Sequence, residues 1–258
     1  MIRPKKHLGQ HFLTDISIAQ RIVDSLHPAI GDTVLEIGAG TGILTGLLLQ
    51  KEIRLLTVEI DPESVAYLLK KWPDLRGMLI EKNFLNLDLD QLIRGPFHMI
   101  GNFPYNISSQ IFFRIIEQRL RVPTVVCMVQ KEVADRITSP PGSKQYGILS
   151  VLLRTYYDTE YLFTVKPGSF FPPPRVTSGV IRLVRNRIEK LPCDERLFFK
   201  VVKTTFNQRR KMLRNSLRSI LLNLDSHFEL LTKRPEELDI PEFIELTRWV
   251  ESQLAANR

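Results

Sequence analysis

Cysteine is almost missing from this chain, with two residues in 258. Cys127 sits inside the apolar run 125–129 and Cys193 stands alone near a proline, so neither a disulfide framework nor metal-ligand spacing is available. No apolar run reaches the roughly 18 residues that cross a bilayer, and residues 1–10 are polar and basic instead of forming a leader. A soluble, cytoplasmic protein without membrane contact or bound metal is the expectation. Low-complexity tracts and internal repeats are also lacking, and 43% hydrophobic with 25% charged residues excludes disorder over the whole chain. The length suits a sizeable core with a smaller appendage.

Negative charge is scarce in one place. Between residues 181 and 221 stand twelve Lys or Arg against three acids, a local net charge of +9, so the rest of the chain carries −1 of the total +8. A near-neutral body with one basic segment suits a polyanion-binding protein, because neutralising phosphates releases counterions. A solvated helix face explains the same run, and charge alone leaves both readings open.

What is present, from residue 33 to about 138, is an alternation of short apolar runs with helix-like segments, which predicts a parallel sheet covered by helices. Strands are expected at 33–37, 54–60, 78–81, 97–101 and 125–130, with helices at 43–50 and 62–71, and a further strand at 179–184. The apolar run 147–157 fits strand or helix. From about residue 188 the pattern is helical without strands, giving an expected division into 1–187 and 188–258. Residues 206–221 read as one helix in which Phe206, Leu213, Leu217 and Ile220 share a face bordered by Arg210, Arg214 and Arg218.

Two motifs carry chemistry. Glu36-Ile37-Gly38-Ala39-Gly40-Thr41-Gly42 follows the first strand and opens a helix, so a ligand can lie against bare backbone. A dinucleotide fingerprint wants its third glycine at position 43, where this chain has Ile43. S-adenosylmethionine has no pyrophosphate to seat there, and its sulfonium favours nearby acids such as Glu36. Glu59, 21 residues beyond Gly38, ends the second strand where a carboxylate can bond both ribose hydroxyls of a nucleoside. The second motif, Asn102-Phe103-Pro104-Tyr105, follows a strand and so lies at a carboxyl end of the sheet. An adenine amine is a poor nucleophile because its lone pair is conjugated with the ring. The Asn102 side-chain oxygen and the Phe103 carbonyl can each accept one of its N–H bonds and stabilise the charge gained on attack. Tyr105 offers a flat face for an extruded base. The loop Ser169-Phe170-Phe171-Pro172-Pro173-Pro174 either clamps the other face of that base or plugs the core with its aromatics.

These segments occur in order with Lys6-His7-Leu8-Gly9-Gln10-His11-Phe12-Leu13, Val58-Glu59-Ile60-Asp61, Phe170-x-Pro172-x-Pro174-x-Val176-x-Ser178, Phe206-Asn207-Gln208-Arg209-Arg210-Lys211 and Arg234-Pro235-Glu236-Glu237-Leu238. Together they resemble the ribosomal RNA adenine N6-dimethyltransferase family, most closely its bacterial small-subunit branch, almost end to end. The resemblance implies an α/β, Rossmann-like class I methyltransferase sheet with a reversed last strand and a small all-helical C-terminal domain that binds RNA. It implies two methyl groups on each of two adjacent adenines in the 3′-terminal hairpin of 16S rRNA, in the assembling small subunit, by a monomer. Cofactor positions map to His11, Leu13, Gly38, Gly40, Glu59, Asn83 and Asn102, catalytic ones to Asn102, Phe103, Tyr105 and a base-stacking Phe170, and RNA contacts to Arg209, Arg210, Lys211, Arg214 and Arg218. His11 replaces a frequent Asn and Asn83 a usual Asp, the latter implying weaker cofactor affinity; Phe103 replaces a commoner Leu in a backbone role. A large-subunit (23S) dimethyltransferase of the antibiotic-resistance type shares the loop and tetrapeptide, but the tail and segment 206–211 favour the small-subunit branch. A non-catalytic ribosome assembly factor is the reading from another class, and intact Glu59, Asn102 and Tyr105 argue against it.

Overall fold

The computed structural model describes residues 2–221 and 227–256. Its strands are β1 (Phe12–Leu13), β2 (Thr33–Ile37), β3 (Arg54–Glu59), β4 (Leu79–Glu81), β5 (His98–Asn102), β6 (Thr124–Gln130), β7 (Tyr157–Val165), β8 (Phe170–Phe171) and β9 (Ser178–Arg185). Seven of them form one sheet in the order β4-β3-β2-β5-β6-β9-β7, while β1 and β8 make a separate antiparallel pair. Neighbours from β4 to β6 are parallel and β9 is antiparallel to β6, the reversed strand that the resemblance implies. The helices are α1 (Ile16–Asp24), α2 (Ile43–Leu48), α3 (Pro62–Lys71), α4 (Leu89–Leu92), α5 (Ser108–Glu117), α6 (Lys131–Thr138), α7 (Ile148–Tyr156), α8 (Glu195–Asn207), α9 (Leu213–Ser216) and α10 (Ile240–Ala256).

The chain forms two compact units, Met1–Asp135 with Asp158–Arg185, and Arg136–Tyr157 with Asn186–Arg258. In the first, Val34, Leu55, Ile100, Val126 and Met128 of the strands pack with Ala19, Ile22, Leu44, Leu48 and Leu68 of α1, α2 and α3 in one apolar cluster. Each Val, Leu, Ile or Met side chain so removed from water contributes about 1.5–3 kcal/mol before entropy is counted. Both α1 and α3 are capped by the carboxylate before them, Asp15 and Asp61, and α3 also has Pro62 at its first position. In the second unit, Phe206 of α8 stacks on Phe243 of α10 at 5.8 Å and meets Tyr146 edge-on at 5.9 Å.

One reading left open between strand and helix is decided, and two expectations differ from what is observed. The run 147–157 resolves as α7, nearly every residue of which is buried. A helix buried all round has no polar face to mark its period. Residues 136–157, expected with the first part of the chain, belong to the second compact unit. Residues 206–221 are not one helix: α8 ends at Asn207, Met212 is extended, and α9 with a short 3-10 turn at Leu217–Ser219 follows. The Leu213 N–H bonds the Lys233 carbonyl at 2.8 Å, so a tertiary contact replaces helix continuation, and Arg210, Arg214 and Arg218 do not form an i, i+4 ladder.

Candidate active site

Strand order reverses between β2 and β5, and at the carboxyl ends of these strands lies a cavity of about 230 Å³. Open α/β sheets bind ligands at such a switch point. Its wall includes Gly38, Gly40, Glu59, Asn83, Asn102 and Tyr105. Gly40 has φ +54°, and a Cβ there would meet the Phe12 ring at 2.8 Å, so bare backbone is required beneath that aromatic. The Glu59 carboxylate accepts from the backbone N–H of Gly40 at 2.8 Å, Ile60 at 2.8 Å and Asp61 at 2.9 Å. Burial pushes its pKa up while these three donors oppose the rise. Asn83 accepts from the Leu85 N–H at 3.0 Å through its side-chain oxygen, which keeps that oxygen oriented.

The segment before β1 covers this rim. Lys5 pairs with Asp61 and, at 3.1 Å, with Glu63, and Gln10 donates to Asp61 at 3.1 Å, so the residue that caps α3 also holds the N-terminal strap. Neither contact is visible in sequence spacing. His11 follows, and its Nδ1 lies 2.8 Å from the Pro172 carbonyl oxygen. A carbonyl only accepts, so this nitrogen carries the proton.

Asn102 Nδ2 donates to the His11 carbonyl at 2.8 Å. The same reasoning tells which end of the amide is nitrogen, and Oδ1 of this cavity-lining residue accepts no bond from any described residue. Phe103 gives its N–H to Met128 at 3.0 Å and turns its ring edge-on against Phe112, so its main chain is what it offers the cavity. The Tyr105 ring stacks on His11 at 5.6 Å and 26°, and its hydroxyl lies 2.5 Å from Ser178 Oγ. Burial raises the phenol above its ordinary pKa, so it is a neutral hydroxyl at physiological pH.

The model of ribosomal RNA adenine dimethylases matches residues 1–237. The chain belongs to that family. It is similar to the ribosomal RNA small subunit methyltransferase A of Parabacteroides distasonis, 53% identical over 249 residues covering 96% of this chain and 94% of the relative. The same-named protein of Bacteroides thetaiotaomicron is 52% identical, with 98% and 96% covered. Among solved structures, a Plasmodium falciparum dimethyladenosine transferase shares the fold with a TM-score of 0.77 at 23% identity, covering 94% of this chain and 98% of that one. The 23S rRNA methyltransferase ErmE matches with a TM-score of 0.68 at 25% identity, over 92% and 99%. The dimethylase is therefore an S-adenosylmethionine-dependent enzyme with ribosomal RNA as its substrate.

In the dimethylase, His11, Gly38, Gly40, Glu59, Asn83, Asn102, Phe103 and Tyr105 all line the one cavity. Leu13 and Phe170 do not. They pair across β1 and β8, and both side chains enter the core, Phe170 being 4% exposed. Cross-strand partners share a face and successive residues alternate, so Phe12 and Phe171 take the other side; Phe12 lines the cavity and Phe171 is 51% exposed. The base-stacking placement expected of Phe170 is thus corrected to a core plug. A two-residue strand is too short to display its alternation in sequence.

Glu36 is also corrected as an acid facing the cofactor. It is buried away from the cavity and accepts from Thr45 at 2.7 Å and Thr57 at 3.3 Å, and burial pushes its pKa up to about 7. Between its ordinary 4.5 and about 7 the folded carboxyl stays protonated while the unfolded one ionises, so this stability is present at pH 4.5 and lost as pH rises through 7. Raising the pH from 5 to 8 should therefore lower the Tm of the parent several degrees more than that of Glu36→Gln, read by calorimetry; parallel profiles would contradict it.

Gly101, just before the tetrapeptide, has no room for a side chain: a Cβ would overlap the Ile37 carbonyl oxygen and lie 3.2 Å from the Phe103 ring. Gly101→Ala must separate β2 from β5 at the site. Overpacking of about 1–3 kcal/mol should lower Tm by several degrees, with methylation falling further than stability. A variant with parental kcat would show that the strands yield freely.

Of the basic residues, Arg210, Lys211, Arg214 and Arg218 are exposed. Arg209 is engaged within its own unit, donating to the carbonyls of Lys144 at 2.5 Å and Ser143 at 3.0 Å and lying 3.8 Å from Glu236. It ties the turn after α8 to the loop before α7 instead of presenting a free cation. Among the described residues no helix is long and apolar enough to cross a membrane, and no group of three or more His, Cys, Asp or Glu could hold a metal.

Proposed function

We propose that this dimethylase places two methyl groups on the N6 amine of each of two adjacent adenines in the 3′-terminal hairpin of 16S rRNA, as a cytoplasmic monomer acting on the assembling small subunit. The observation that carries the chemistry is the amide of the cavity-lining Asn102, whose nitrogen is held by the His11 carbonyl and whose oxygen remains an acceptor. S-adenosylmethionine, when bound, supplies an electrophilic methyl group on a sulfonium. Glu59 suits its ribose hydroxyls, Asn83 its adenine amine, and Gly38 and Gly40 provide bare backbone for it. Asn102 Oδ1 and the Phe103 carbonyl take the two N–H bonds of the target amine, and Tyr105 stacks on the base. No side-chain base is needed, since the proton leaves to water once the nitrogen is alkylated. The first compact unit would do this chemistry and the second, with its exposed cations, would hold RNA.

The small-subunit target is supported by the names of relatives more than 50% identical over nearly the whole chain. Unmethylated small subunits, naked small-subunit rRNA and large-subunit rRNA should be offered with labelled cofactor and digested. Dimethyladenosine is expected from the small-subunit material, and label in large-subunit RNA alone would overturn the proposal. A carboxylate accepts more strongly than an amide, so Asn83→Asp should bind S-adenosylmethionine about three- to tenfold tighter by calorimetry. An unchanged Kd would remove Asn83 from the cofactor set.

A further inference from the structure

Ser178 is 73 residues beyond Tyr105, yet the two hydroxyl oxygens are 2.5 Å apart. The reversed strand brings them together. Because β9 runs antiparallel to β6, its first residue, Ser178, pairs with Gln130 at the carboxyl end of β6, beside the end of β5 from which Tyr105 departs. Ser178 is fully buried, so its hydroxyl has few alternatives. The Tyr105 ring is thus bonded at its tip and covered on one face by His11, itself tied to the Pro172 carbonyl. A phenol held at tip and face cannot turn about its side-chain bonds, and the remaining face stays set in one plane.

We propose that Ser178 is a positioning residue for methyl transfer, fixing the Tyr105 ring in the plane on which the target adenine stacks. This rests on the reading of Tyr105 as the stacking residue. Preorganisation of this kind acts on the reacting geometry more than on cofactor binding, so its loss should appear in kcat.

The test is a double-mutant cycle on methylation of small subunits. Ser178→Ala and Tyr105→Phe each remove one end of the same bond, and each should lower kcat about tenfold with KM for S-adenosylmethionine unchanged. The double variant should be no slower than either single one, which a general loss of packing would not produce. Effects that multiply to about a hundredfold, or a parental kcat in Ser178→Ala, would overturn the proposal. Should Ser178→Ala fail to fold, Tyr105→Phe decides alone, and parental kcat there overturns it equally. Tyr105→Ala separates the two layers: parental kcat in it removes the stacking role, whereas a deep loss with unaffected Ser178→Ala and Tyr105→Phe removes only the positioning role.

Discussion

An Asn102→Ala variant should lose about 10²- to 10³-fold in kcat while binding RNA as tightly as the parent, the scale seen when one preorganised hydrogen-bonding group is removed from a developing charge. The amide does two things here. Its nitrogen bonds the His11 carbonyl, which ties the N-terminal strap to the end of β5, and its oxygen is the acceptor for the target amine. Alanine removes both. Asn102→Asp separates them, because a carboxylate accepts but cannot donate to His11, and two acceptors facing each other at 2.8 Å repel. Asn102→Asp should therefore weaken S-adenosylmethionine binding at the strap more than it slows turnover, whereas Asn102→Ala lowers kcat and loosens the strap together. Single-turnover rates with saturating cofactor, alongside filter binding of the RNA, measure both. Parental kcat in Asn102→Ala would mean that the Phe103 carbonyl alone orients the amine; RNA affinity that falls with activity would mean that Asn102 serves the fold. A non-catalytic assembly factor would show no activity to lose.

How much of this was legible in the sequence depended on whether neighbours in the chain were neighbours in space. The strands β2, β3, β5 and β6 could be read because each is a short apolar run ended by a turn or a helix start, and Gly38, Glu59 and Asn102 follow from sitting at their carboxyl ends. The acidic residue next to the glycine loop misled, since Glu36 precedes Ile37 on the strand and its side chain goes to Thr45 and Thr57, not to the ligand side. Strand β7 was missed because it follows α7 without a turn residue and opens with the polar Asp158-Thr159-Glu160, so no apolar run marks it. The pairs Lys5 with Asp61, Asn102 with His11 and Tyr105 with Ser178 span 56, 91 and 73 residues, so no local periodicity could announce them. They arise from topology, where the strap before β1 and the start of β9 both arrive at the same end of the sheet.

Neutralising Arg210, Lys211, Arg214 and Arg218 together should flatten the dependence of log RNA affinity on log salt by about 0.9 for each duplex phosphate that is no longer neutralised, up to about 3 to 4 in all. A continuous helix is not required for this. These cations lie on the turn after α8, on α9 and on the 3-10 turn behind it, exposed, while Leu213 and Leu217 on the same stretch are buried and anchor it. Arg209 serves as an internal contrast. Its guanidinium is occupied by the Ser143 and Lys144 carbonyls, so Arg209→Ala should lower Tm and leave the salt slope near the parental value. If the four cations touch phosphate, the drop in affinity is large at low salt, shrinks as salt rises, and is the same for target and unrelated hairpins, because phosphate contacts carry no sequence information. Methylation at saturating RNA should then keep its kcat while KM for RNA rises. A slope unchanged in the fourfold variant would make these cations ordinary solvated surface, and RNA would have to be held elsewhere; a slope flattened by Arg209→Ala instead would mean that its bonds to the two carbonyls give way when RNA binds.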